Sequence, residues 1–149
     1  MTNENAKKFL LQNLEELFKM KKWLEHSLDL CLKIKNFDDF DIFDLDKLEA
    51  LTSRYARLCD FIINKMFRSI DSYEFVDTGT IIDRLNRSLK RNIGESLDQW
   101  REFKDLRNEI AHDYILFNNS HIYEKTLKYS QLLLDIVDEI HSYCKKIIE

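Results

Sequence analysis

Not one of the 149 residues is proline, and only Gly79 and Gly94 are glycine. Proline stops helices because it lacks an amide donor and clashes with the preceding turn; glycine weakens them through its backbone freedom. A chain with so little of either has few places where a helix must end, and the expected class is all-α.

Apolar spacing divides that helical chain into segments. Over about 4–34, Leu10, Leu14, Leu17, Leu24, Leu28 and Cys31 recur at steps of three, four and seven, which marks one face of a long amphipathic helix. The stretch NFDDFDIFDLD, with five aspartates between 38 and 46, reads as a connection. Asp46 followed by Glu49 has capping-box spacing, so a second helix is expected to begin there and run to about Tyr73. DSYEFVDTGT breaks it, Thr80 can cap a third helix, IIDRLNRSLKRN, and Gly94 is expected to end that helix as its C′ residue. Ser96 and Gln99 open a fourth, LDQWREFKDLRNEIAHDY, and Asn118, Asn119 and Ser120 read as a turn. The last helix carries Leu133, Ile136, Val137, Ile140, Cys144 and Ile147 on one face. Four to five helices in one antiparallel bundle follow, as a single domain over 1–149.

Hydrophobic residues make up 44% and charged residues 34%, a balance suited to a globular chain that buries a core. Cys31, Cys59 and Cys144 are odd in number and form no C-x-x-C pair. They suit a reducing, cytoplasmic setting as buried apolar fillers better than a disulfide framework or a zinc site. MTNENAKKFLLQNLEE has no long apolar run before charge returns, so no signal peptide is expected. Nor does any apolar stretch reach the roughly 18 residues of a membrane span.

Net charge is −4, so any nucleic-acid contact depends on local clustering of cations. Arg54, Arg57, Lys65 and Arg68 lie roughly on one side of the second helix; Arg84, Arg87 and Arg91, with Lys90 beside them, line the third. Such stripes can follow a phosphate backbone, although a solvated helix face is the commoner use. The aspartate-rich connection lacks the spacing and terminal glutamate of a calcium loop and suits a helix N-terminus. His26, His121 and His141 have no metal-ligand spacing to one another, so no metal is expected.

The densest chemistry lies in DLRNEIAHDY, residues 105–114. With about 100° per residue, Arg107 and Tyr114 nearly superimpose, Asn108 and His112 share an adjacent stripe, and Arg107 diverges from His112 by about 140°. The pair converges only through a distorted helix or across an interface with a second copy. Arg and His near a helix C-terminus also interact well with its dipole, which is an ordinary use for both.

The string RNEIAHDY matches the Arg-x-x-x-x-His-x-Tyr signature of the HepT-like branch of the HEPN superfamily, and Asn108 fills the polar place after the arginine. WREFKDL, SRYARLCDFIINKMFRSI and TIIDRLNR are also similar to HepT-related bacterial proteins, so the resemblance covers roughly 50–115. It implies a homodimeric, metal-independent endoribonuclease toxin with no cofactor, paired with a minimal nucleotidyltransferase antitoxin that transfers AMP to the motif tyrosine, here Tyr114. Related proteins are also described as substrate-binding subunits of such nucleotidyltransferases, which leaves a non-catalytic alternative.

Metal-free RNA cleavage needs a base for the 2′-hydroxyl, a cation for the phosphorane charge and a proton for the leaving oxygen. An imidazole titrates near neutral pH, so His112 suits proton transfer. Arg107 can grip two phosphate oxygens, and Asn108 can bond the scissile phosphate or orient the imidazole. The expected product is a 2′,3′-cyclic phosphate. AMP on Tyr114 would block the RNA path by bulk and charge.

Overall fold

The computed structural model of the chain describes residues 2–112 and 120–149. Its elements are α1 (Asn3–Leu32), α2 (Ile42–Phe61), a π-helical turn (Ile62–Met66), α3 (Phe67–Tyr73), α4 (Ile81–Lys90), α5 (Leu97–His112) and α6 (Ser120–Ile148). No strand occurs among the described residues, and the fold is an all-α helical bundle.

Thr2 caps α1 by accepting from the Asn5 amide at 3.2 Å. Leu10, Leu17, Leu24, Leu28 and Cys31 are buried along the helix, as their spacing predicts, and Leu14 packs against the same core. Cys31 Sγ donates to the Lys47 carbonyl, and Arg54 donates to Ser27 Oγ and the Trp23 carbonyl. Partners thus descend along α1 as they ascend along α2, so the two helices run antiparallel. The same crossing order makes α6 antiparallel to α1, through Lys21–Asp138 and Phe18–His141, and to α5, through Glu109–Lys125 and Glu102–Tyr129.

Two helix ends differ from the sequence expectation. The cap of α2 is Asp41, whose carboxylate accepts from the Asp44 amide at 2.8 Å, and not Asp46. Leu45 and Leu48 pack on the core and Phe40 stacks edge-on against Tyr123, so the helix must already be formed before Asp46. At the end of α4 the left-handed residue is Asn92, with φ 64°, and not Gly94. The amides of Ile93 and Asn92 bond the Ser88 and Leu89 carbonyls, which is the Schellman pattern, and it delivers Ile93 into the core. Gly94, also at positive φ, serves a different need: a Cβ there would lie 2.7 Å from Trp100 Nε1.

The helix expected to reach Tyr73 does so, interrupted by the π-helical turn. There the Phe67 amide bonds the Ile62 carbonyl, and Arg84 Nη1 donates to the Ile63 carbonyl at 3.2 Å. A carbonyl at the widened turn is thereby satisfied from α4. Thr80 and Asp83 form a reciprocal capping box at the start of α4. Before α5, the Gln99 amide bonds Ser96 Oγ, while its side chain accepts from the Glu95 amide.

Aromatic rings fill the centre. Phe67, Trp100, Phe103 and Tyr129 form a chain of edge-to-face contacts at 5.3, 5.5 and 5.9 Å. Tyr55 donates its buried hydroxyl to the Phe103 carbonyl at 3.0 Å. These contacts lock α5 against α2 and α3, and so fix the helix that bears Arg107, Asn108 and His112. Among the described residues no helix is long and apolar enough to cross a membrane.

Candidate functional site

Trp100, Phe103 and Leu106 make up the buried face of α5, and Arg107 follows Phe103 by one turn on the side turned to α2. Its guanidinium meets Asp60, at the end of α2, through three hydrogen bonds: Nε to Oδ1 at 2.8 Å and to Oδ2 at 3.0 Å, and Nη2 to Oδ2 at 2.8 Å. The two side chains are 34% and 42% exposed, so the pair lies at the edge of the bundle within reach of solvent. Hydrogen bonding to Asp60 raises the arginine's pKa above its ordinary value, against a smaller lowering by burial. Arg107 is therefore permanently charged and already carries a counter-ion from its own chain.

Asn108 is exposed on the neighbouring stripe and borders a cleft of about 290 Å³ between α4 and α5, walled by Ile82, Leu85 and Leu97 with Lys104 alongside. His112, one turn further on, is the last residue of α5 and is exposed. The helix is α-helical from Leu97 through His112, so no distortion turns the imidazole toward the guanidinium. Arg107 faces α2 while Asn108 and His112 share another stripe. One chain therefore places Asn108 and His112 on one stripe of α5 and Arg107 on another. Tyr114 lies outside the described residues, as do Asn118 and Asn119.

The arginine stripes are mostly spoken for. Arg54 is tied to α1 through Ser27 and Trp23, whereas Arg57 is exposed. Arg84 reaches the Ile63 carbonyl, and Arg87 Nη2 donates to Asp71 Oδ2 at 2.8 Å and to the Thr78 carbonyl at 2.9 Å. Arg91 Nη2 lies 2.8 Å from Asp71 Oδ1, attracted but misaligned for a hydrogen bond, and its Nε donates to Glu74 at 2.9 Å. Glu74 also accepts from the Tyr143 hydroxyl. Three cations spaced for an outer face thus turn inward to brace α3, α4 and α6. Sequence reasoning missed Asp60 and Asp71, the acids that decide this. Each lies 16 or more residues from its arginine, where no helical period can signal the pairing.

The remaining candidates are placed more simply. His26 and His121 are exposed, and His141 meets the edge of Phe18 at 5.2 Å. Cys31, Cys59 and Cys144 are free and buried; burial pushes their thiols up to about 11, 12 and 12. The aspartate-rich connection contributes the α2 cap through Asp41. Comparison with known proteins adds no relative: no family model matches the chain, and no curated protein or solved structure is significantly similar to it.

Proposed function

We propose that this chain is a HEPN-type, metal-independent endoribonuclease that works as a homodimer and serves as the toxin partner of a minimal nucleotidyltransferase. The observation that carries the reading is the end of α5. There Asn108 and His112 are exposed on one stripe, and Arg107, on the adjacent face, has its guanidinium held by Asp60 at the bundle edge. His112 accepts the proton of a ribose 2′-hydroxyl, whose oxygen attacks the adjacent phosphorus. Arg107 stabilises the charge on the non-bridging oxygens. The 5′-oxygen leaves with a proton from a second imidazole or from water, and the 2′,3′-cyclic phosphate remains. Since Arg107 and His112 face different ways on one helix, the arginine acting with a given histidine belongs to a second copy.

The same contact supports a second reading. Asp60 already neutralises Arg107, which suits a non-catalytic subunit that offers this surface to a nucleotide or to the nucleotidyltransferase. Incubating the purified protein with RNA separates the two. Cleavage that His112→Ala and Arg107→Ala each abolish, with the helical fold retained, supports the ribonuclease. Intact RNA with tight partner binding supports the subunit. Full activity in both variants rejects the site. Silencing by AMP transfer to Tyr114 predicts a one-AMP mass gain with the partner and ATP that Tyr114→Phe removes.

A further inference from the structure

Asp60 holds only one edge of Arg107. A guanidinium has five N–H donors, and the side-on contact uses the Nε donor and one on Nη2. The adjacent edge, formed by the other Nη2 donor and an Nη1 donor, is the end-on fork that fits two oxygens of one phosphate. Nη1 donates no hydrogen bond among the described residues, and 34% of the side chain is exposed. We infer that Asp60 is a positioning residue: it fixes the plane of the Arg107 guanidinium so that the end-on fork receives a single phosphodiester group. The inference rests on the ribonuclease reading for its catalytic consequence.

Both partners stand on firm backbone. Asp60 follows Cys59 and Leu58, which are fully buried, and precedes the π-helical turn braced by Arg84. Arg107 follows buried Leu106, and the contact engages both carboxylate oxygens, which resists rotation better than a single bond. The charge balance gives the arrangement a signature. The pair is neutral overall, so phosphate is held by directed hydrogen bonds more than by excess charge. That fits a chain of net charge −4. Removing Asp60 would free a loose cation that attracts polyanions more strongly and stabilises the transition state less well.

The test combines kinetics with a readout independent of cleavage. Asp60→Ala is expected to lower kcat on the order of tenfold to a hundredfold, as for misplacement of a catalytic group, without raising KM. It should bind a DNA oligonucleotide, which lacks the 2′-hydroxyl, at least as tightly as wild type, and Asp60→Glu should recover part of kcat. An unchanged or higher kcat, or a loss confined to KM, would overturn the inference. In parallel, the Arg107 Nε–H resonance is assigned by Arg107→Lys and followed while the DNA oligonucleotide is added to wild type. The Nε–H should keep its carboxylate-bonded position while the Nη resonances shift. Movement of Nε–H to the Asp60→Ala position, or no response from Arg107, would overturn the inference as well. A wild type that cuts no RNA refutes the ribonuclease reading alone, and the resonance experiment still decides on Asp60.

Discussion

Asp71 is fully buried on α3 and lies 2.8 Å from Arg91, which is itself only 8% exposed. Arg87 approaches the other oxygen of the same carboxylate at 2.8 Å. Arg87 of α4 and Arg91 at its C-cap thus converge on one acid in the interior, and Glu74 with Tyr143 extends the cluster to α6. Taking out the acid leaves Arg87 without its carboxylate and the buried Arg91 with Glu74 alone. Asp71→Asn is therefore expected to cost about 3–5 kcal/mol, the usual penalty for breaking a buried pair from one side. Urea denaturation checks this, and a loss within 1 kcal/mol on the order-of-magnitude scale of an exposed pair would show that water reaches the cluster.

Phe75, two residues past the end of α3, has φ 61° while 73% exposed. The amides of Val76 and Phe75 bond the Asp71 and Ser72 carbonyls, so an aromatic residue occupies the left-handed place that glycine usually fills. Phe75→Gly should stabilise the fold by about 1 kcal/mol, since it relieves the left-handed penalty and gives up little burial. A drop in melting temperature would mean that Phe75 makes a stabilising contact.

Gly94 presents the opposite case. Its φ is 86°, and an added Cβ would strike the Trp100 indole at 2.7 Å. Gly94→Ala should destabilise by about 1–3 kcal/mol through backbone strain and displacement of the ring. Trp100 fluorescence should change in the same variant, and unchanged fluorescence with unchanged stability would refute the close approach.

The capping box of α4 sets a pH dependence. Hydrogen bonds from the Thr80 amide and hydroxyl lower the Asp83 pKa, with a further lowering by Arg87. A carboxylate with a depressed folded pKa contributes stability above its unfolded pKa and loses that contribution as pH falls through the folded value. Acidification should therefore weaken the α4 cap, and the effect should be smaller in Asp83→Asn. Separately, Thr80→Ala should cost about 1 kcal/mol at neutral pH, as loss of an N-cap does.

The three thiols should resist modification in the native state. Each is buried, with its ionisation pushed well above neutral pH, so little thiolate forms at pH 8. A thiol reagent should react slowly with the folded protein and with three equivalents after denaturation. Rapid reaction of one thiol before unfolding would locate a local opening.

The order of helices was legible because it rests on local rules. Thr80 and Ser96 carry capping chemistry within four residues, and the α1 and α6 stripes repeat at helical steps that match their buried faces. The α2 cap is ambiguous in the sequence because Asp41 with Asp44 and Asp46 with Glu49 offer the same local chemistry. Packing of Phe40, Leu45 and Leu48 chooses between them. Asn92 and Gly94 are both suited to positive φ, and burial of Ile93 decides which one closes α4.

The candidate site divides along the same line. Sequence alone places Arg107, Asn108 and His112 on α5 and fixes their angles, because a regular helix leaves no freedom in them. Only the tertiary structure decides what those side chains meet. Arg107 finds Asp60 from 47 positions away, and Arg87 and Arg91 turn from an expected outer face to Asp71. Helical periodicity encodes which residues share a face. The partner across that face depends on how separate helices pack, and no short-range pattern records it.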